Sequence, residues 1–461
     1  MHCAIGRWRL AKTIPIRIEA DSLFDSRPVG ALQIRVFVLC AFVALLDAVD
    51  SQAIGVAGPL MASGLKMSAA AFAPAYSAGL LGAAIGALAF GPVSDRFGRR
   101  PALLFTTALF GVFTVLTAFA NSFAVLIAFR LIAGLGLGGA TPCFITMAAE
   151  YSPQRSRAMF VSLLWAGYPL GNSVGGLVTS FLVSRFHWPV LFLVAGTPVL
   201  LLVLAMSAFL PESLRFLAST GQGEAAARVA RKLAPDLPAE LDIVARIRSR
   251  GARIPLGDLF AEGRAATTIL VGLMLFFGFA TTTVIVLQTP TLFRQAGIPL
   301  SVSALLVSIY SLVATFGMAI AGRLLERFGA FAALTPPFIG GGVLLAILGL
   351  VASSPLAAGI VMLLLGLTAS VGASGAIALA ATSYPTVMRS AGTGWAMALG
   401  RLGQVCSPLV IGVMLAFRWT PAEILAAMAM APVAGGICVV LKSKFPQFST
   451  PIAAAMGSDA R

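Results

Sequence analysis

Four charged side chains sit in stretches of this 461-residue chain that are otherwise apolar: Asp47, Asp50, Arg130 and Arg401. Asp47 and Asp50 lie three residues apart in LCAFVALLDAVDSQAIGVAGPL (39–60). On a helix that spacing projects both from roughly one face. A carboxylate in low-dielectric surroundings holds its proton more tightly, so it can load and release one. Arg130 lies in FRLIAGLGLGGATP and Arg401 in GTGWAMALGRLG. A guanidinium keeps its proton in a protein, and its fork matches a carboxylate at two points. A charge in a spanning segment costs about 2.5–3.5 kcal/mol on insertion scales, and such residues as a rule face a bundle interior or a water-filled path. The chemistry on offer is proton exchange and anion binding.

The elements that must hold these groups are membrane helices. The chain is 59% hydrophobic and 11% charged, with 47 glycines, a composition suited to packed membrane helices. About twelve runs reach spanning length. They are predicted at 34–60, 72–93, 101–120, 122–148, 156–183, 189–210, 267–289, 301–323, 331–351, 354–381, 388–415 and 421–441. The expected fold is an all-α polytopic membrane protein of twelve transmembrane helices in two six-helix bundles.

The net charge of +15 raises the question of nucleic acid, and its placement answers no. Basic residues cluster before the first run (Arg7, Arg9, Lys12, Arg17, Arg27, Arg35) and after the second (Arg96, Arg99, Arg100). They recur after the fourth (Arg155, Arg157), between Arg215 and Arg264, and at Lys442 and Lys444. The alternate loops carry few: Lys66, Arg185, Arg294 and Arg418. By the positive-inside rule both termini are expected in the cytoplasm, with the protein multi-pass in the inner (plasma) membrane. The first 33 residues lack the apolar core of a signal peptide and read as a mobile cytoplasmic tail. The five cysteines form no CxxC pair, so neither disulfides nor a metal are expected. No catalytic residue and no cofactor are expected either. The histidines, His2 and His187, lie with no nucleophile or metal set, which argues against an enzyme. A monomer in lipid is expected.

The chain divides into a tail (1–33), a first bundle (34–210), a cytoplasmic linker (211–265), a second bundle (266–441) and a C-terminal tail (442–461). An internal repeat supports the division. GPVSDRFGRRP follows span 2 and GRLLERFG follows span 8, aligning Gly91, Asp95, Arg96 and Gly98 with Gly322, Glu326, Arg327 and Gly329. EYSPQRSRA and SYPTVMRSA are a weaker echo after spans 4 and 10. Self-similarity at long period signals duplication, and two parallel halves of six helices match the major facilitator architecture. Asp95, Arg99 and Glu326 are expected to form a cytoplasmic gate through helix termini and ion pairs. Topology-setting loop charges are the plain alternative, strongest for Arg99 and Arg100 taken alone.

Counting the helical rise, Asp50 lies about 15 Å and Arg130 about 12 Å from the same side, so the two share a level. Arg401, about 18 Å into span 11, has no acid partner in its own half. One acid for protons and one arginine for an organic anion is the minimum set for a proton–anion symporter. A static network of the four is the competing reading. Trp395, six residues before Arg401, either stacks on a ring-bearing substrate or simply packs. Tyr76, Tyr168, Asn172, Gln288 and Gln404 are further polar candidates, each more often a helix–helix hydrogen bond. The glycines Gly134, Gly136, Gly138 and Gly139 follow no strand, so helix packing explains them better than a nucleotide loop.

LLDAVDSQAIG, GPVSDRFGRRP, FRLIAGLGLGGATP, LPESLRFL and SYPTVMRSAGTGWAMALGRLG together resemble the aromatic acid:proton symporter family of the major facilitator superfamily, over about 34–441. The loop motif and PESxRxL (Pro211, Glu212, Ser213, Arg215, Leu217) are shared with sugar porters. The resemblance implies transport roles for Asp47 and Asp50, and for Arg130 and Arg401, and a gate at Asp95 and Glu326. Ala48 replaces the family's usual glycine, and Phe328 stands where some members carry His. The expected function is import of a small carboxylate, aromatic by the resemblance, with protons. Uptake of a sugar or polyol, efflux of a drug or metabolite, and a non-transporting sensor are the alternatives.

Overall fold

A computed structural model describes residues 16–25, 28–233, 241–244, 256–261, 264–384 and 388–445. The basic run Arg246–Arg253 and both chain ends lie outside the described residues.

Each long apolar run is a helix. Spans 1 to 6 are Ala31–Gly64, Ala69–Phe97, Arg99–Thr117, Phe123–Glu150, Arg157–Val183 and Pro189–Phe209. Span 7 is Ala265–Gln295; spans 8 to 12 are Leu300–Phe328, Ala330–Leu350, Pro355–Thr382, Arg389–Ala416 and Pro421–Ser443. Eleven of these are long and apolar enough to cross a membrane among the described residues, and Arg157–Val183 is the twelfth. Large apolar side chains such as Leu88, Leu204, Phe316 and Leu350 point outward. A water-soluble protein seldom shows such a surface, whereas lipid covers it.

Helix ends fall where local chemistry puts them. Ser68 and Ser122 cap spans 2 and 4 by accepting from Ala71 N and Val125 N. Pro189, Pro355 and Pro421 open spans 6, 10 and 12, where the missing N–H does no harm. Gly98 (φ 110°) and Gly329 (φ 76°) stop spans 2 and 8 at equivalent points of the repeat, in a region of backbone space that glycine occupies freely.

The packing repeats with the sequence. Spans 1 and 5, 2 and 4, and 3 and 6 pair in the first half; 7 and 11, 8 and 10, and 9 and 12 pair in the second. Across the halves, span 2 packs on 11 and span 5 on 8, the same relation seen from either side. Spans 2 and 4 lie almost backbone to backbone, since a methyl at Gly82, Gly86, Gly134 or Gly138 would strike the facing main chain. Gly136 makes room instead for span 3, and Gly139 for Phe90 of span 2 and Thr106 of span 3. The glycine run is thus a two-sided packing surface.

The two ends of the bundle differ. One end carries the start of span 1 and the linker and is called the linker face below; the other is the far face. The hydrogen bonds joining the halves among the described residues all lie in the far half. They are Tyr76 Oη–Thr291 Oγ1 (3.3 Å), Ser77 Oγ to Val405 O (2.9 Å) and Ser180 Oγ to Ser301 O (2.7 Å). Gly55 of span 1 also sits against the backbone of Val286 and Leu287. There span 7 widens into a π turn, Val284–Gln288. Pro290 has no N–H to give the Val286 carbonyl four residues back, which opens the ladder at that point.

Part of the expected free tail is docked. Ile16–Glu19 pairs in parallel with Leu241–Val244 of the linker. Ala20–Asp25 buries Leu23 and Phe24, and Phe24 meets Tyr151 edge-on at 5.5 Å. The apolar pair Leu23–Phe24 supplies the reason: exposed beside a core that includes Leu214 and Leu217, it gains by being covered.

Candidate functional site

Span 1 points its two acids in different directions. Asp50 is fully buried and holds Arg130 at two points, Nη1–Oδ1 at 3.0 Å and Nη2–Oδ2 at 2.7 Å. Thr114 of span 3 donates to the same carboxylate at 3.2 Å. Arg130 stacks over Phe192 at 5.7 Å and lies beside Gly79. This pair ties spans 1, 3 and 4 into one unit and brings no net charge.

Asp47 is 7% exposed, and its Oδ1 has no hydrogen-bond partner. It lines a cavity of about 220 Å³ between the halves. Arg401 lines the same cavity from the second half, half-buried, with Nη1 donating to Gln404 Oε1 at 3.0 Å. No ion pair joins Asp47 to Arg401 among the described residues. Asp50 and Arg130 border this cavity too, so the four charges around it divide into a closed pair, bonded to each other, and an open pair that is not.

The cavity wall is mostly apolar. Trp165 and Tyr168 of span 5 and Phe279 of span 7 supply flat faces. Sites for drug-sized ligands run to about 300–1,000 Å³, so this smaller chamber suits a solute of one ring. The lining continues toward the linker face through Phe144, Ile377 and Met397. That direction, and the closed contacts at the far face, describe a chamber open to the linker side.

The polar candidates divide in the same way. Tyr76 bonds Thr291 across the halves, and Tyr168 bonds Ser51 at 3.3 Å. Gln404 holds Arg401. Gln288 is buried with Nε2 unpartnered and is not part of the cavity wall, whereas Asn172 belongs to the wall with Oδ1 unpartnered. Trp395 is outside the lining and packs edge-on against Phe260 at 5.5 Å. Six residues turn a helix by about 600°, which puts Trp395 some 120° around span 11 from Arg401. Met397 and Gln404, four before and three after Arg401, share its face and line the cavity.

The loop motif is assembled from two sequence signatures at once. Arg99 meets Asp95 at 2.8 Å and Glu150 at 3.6 Å, and donates to Ser94 O at 3.0 Å. Glu212 of PESxRxL accepts from Arg99 N (3.0 Å), Arg100 N (3.1 Å) and Ser213 N (2.8 Å). A carboxylate there caps the start of span 3 and opposes its dipole. Ser213 Oγ in turn bonds Glu150. A side chain at Gly98 would strike Glu212, so glycine is needed for space as well as for φ. Gly91 and Gly322 face open space. Arg96 stacks on Phe97 and Arg327 on Phe328. Asp95 is 64% exposed and pairs within its own half. Glu326 is in the last turn of span 8, and its side chain lies outside the description.

Comparison with known proteins identifies the family. The model for the Major Facilitator Superfamily matches residues 40–356 and 269–454. The chain is 29% identical over 436 residues to the 4-hydroxybenzoate transporter PcaK of Acinetobacter baylyi, covering 92% of this chain and 94% of that one. It is 30% identical over 403 residues to a gallate transporter of Pseudomonas putida, covering 86% and 89%. The crystal structure of a D-xylose-proton symporter superposes with a TM-score of 0.70 at 18% identity, covering 90% and 98%, and speaks to the fold. The chain is a membrane transporter of the Major Facilitator Superfamily and belongs to its aromatic acid transporter family.

Proposed function

We propose that the protein imports a small aromatic carboxylate together with one proton, by alternating access through the central cavity. The observation that carries this is the open pair: Asp47 with a bare oxygen and Arg401 in no ion pair among the described residues, facing one chamber. The relatives' names support the aromatic acid. The linker face is the cytoplasmic side on the distribution of basic residues, which makes this structure inward-open. The membrane is the inner membrane of the cell, and the working unit is the monomer.

Charge arithmetic supplies the coupling. Asp50 and Arg130 cancel. In the empty site Asp47 and Arg401 also cancel. A protonated Asp47, Arg401 and a bound carboxylate again sum to zero. Proton alone leaves +1, and carboxylate alone leaves −1. Enclosing an uncompensated charge in a dry site costs several kcal/mol. Only the empty and the doubly loaded sites therefore close and reorient readily, and one proton accompanies each anion.

The gate follows the same cycle. With the chamber open inward, Asp95 has no contact across the halves. On closure of the linker face, Asp95 and its repeat counterpart Glu326 meet the facing half.

Protein reconstituted in vesicles tests the reading. An acid exterior is expected to drive accumulation of labelled benzoates, and a potential set by potassium and valinomycin alone is not. A cycle carrying one net charge would respond by about 2.3 kcal/mol per 100 mV, near fiftyfold in accumulation. Such a response, or saturable uptake of sugars with none of benzoates, contradicts the proposal.

A further inference from the structure

We propose that Asn172 reads a ring hydroxyl, so that the site selects hydroxylated over unsubstituted aromatic acids. This rests on the transport reading above and assigns a specificity residue to the same cavity. Asn172 is 3% exposed, lines the chamber, and leaves Oδ1 without a partner. An asparagine on a spanning helix ordinarily bonds a neighbouring helix. Gly171 and Gly175 press on span 1, and Gly176 presses on span 8. Asn172, four residues before Gly176, lies on the span 8 side of the helix, yet makes no hydrogen bond through Oδ1 there and borders the chamber.

The surrounding wall narrows the ligand chemistry. Trp165, Tyr168 and Asn172 occupy one face of span 5, at i, i+3 and i+7. Ser51 and Tyr168 already satisfy each other. Arg401 and Gln404 belong to the opposite half. A solute whose carboxylate meets Arg401 lays its ring along the aromatic faces and presents its other edge to span 5. A C–H edge gives Asn172 nothing. A phenolic O–H donates to its unpartnered oxygen. Bonding at both ends also bridges the two halves, which ligand-driven closure requires.

The amide oxygen has lost water on burial, so supplying or withholding a donor changes binding by about ten- to a hundredfold. Competition against labelled uptake reads this in the wild-type protein. At least one of the three hydroxybenzoate isomers is expected to compete about tenfold better than benzoate. The matching methoxybenzoate, which accepts but cannot donate, is expected to lose that advantage. Asn172→Leu should bring the ratio of the two inhibition constants to within about twofold of unity. If that variant fails to reach the membrane, Asn172→Ala reads the same ratio. Equal competition by benzoate and all three isomers in the wild type, or an unchanged ratio in the variants, overturns the role of Asn172 and leaves anion transport standing. Absence of any aromatic uptake by the wild type would instead overturn the transport reading.

Discussion

Asp47 and Asp50 stand one turn apart on the same helix and have opposite circumstances. Asp50 is enclosed, held at two points by Arg130 and by Thr114. Asp47 faces a chamber with an oxygen unmatched, and Arg401 on the same chamber forms no ion pair among the described residues. Three residues turn a helix by about 300°, a 60° divergence; both acids border the cavity between the bundles, but that divergence brings only Asp50 onto Arg130 and Thr114. The comparison teaches that depth in the membrane does not by itself mark a transport residue. A satisfied buried pair holds helices together, whereas an unsatisfied one has capacity left for a ligand.

The largest expected effect breaks the closed pair. Asp50→Asn removes the one carboxylate bonded to Arg130 among the described residues and should destabilise the protein by about 3–5 kcal/mol, read as a lower unfolding temperature in detergent. Adding Arg130→Gln should recover much of the loss. If the double variant folds no better than the single one, Asp50 and Arg130 are not a structural unit.

Next comes the anion side of the open pair. Arg401→Ala should weaken uptake by about a hundredfold, because a buried charge partner is worth about 2–5 kcal/mol to a bound carboxylate. Stability should change far less than in Asp50→Asn. Normal uptake kinetics in this variant would remove Arg401 from the binding site.

A smaller effect is expected away from both pairs. Gly98→Ala forces a side chain into positive φ and against Glu212, so it should destabilise by about 1–2 kcal/mol. The number of protons moved per anion should stay as in the wild type, since no cavity group is touched. A changed ratio would link the gate motif to coupling directly. Smallest of all, Trp395→Leu should alter the half-saturation constant by less than about twofold, given its place outside the cavity wall. A tenfold change would return it to the substrate site.

Much of this was legible in the chain. Hydropathy located the spans, because crossing lipid demands about twenty apolar residues with their backbone paired internally. The ends were less so. Span 1 runs Ala31–Gly64 against an expected 34–60, and span 8 runs Leu300–Phe328 against 301–323, since helices continue past the apolar stretch until a glycine or a cap stops them. Counting the rise put Asp50 and Arg130 at one level. It said nothing of rotation about the axis, so the two aspartates looked equivalent and Trp395 looked near Arg401. A helical wheel on Arg401 would have added Met397 to Gln404, already a candidate from the sequence. Glu212 was hidden for another reason: its contacts with Arg99 and Arg100 join segments more than a hundred residues apart, and no local pattern reports them.

The central claim is that Asp47 carries the proton and Arg401 the anion. Counting both species in reconstituted vesicles, by a pH dye and a labelled benzoate, tests it most directly. The wild type is expected to move one proton per anion. Asp47→Asn should exchange labelled for unlabelled substrate, because its loaded site is neutral, yet move no proton and build no gradient. Net accumulation by Asp47→Asn with a proton still counted for each anion would contradict the account.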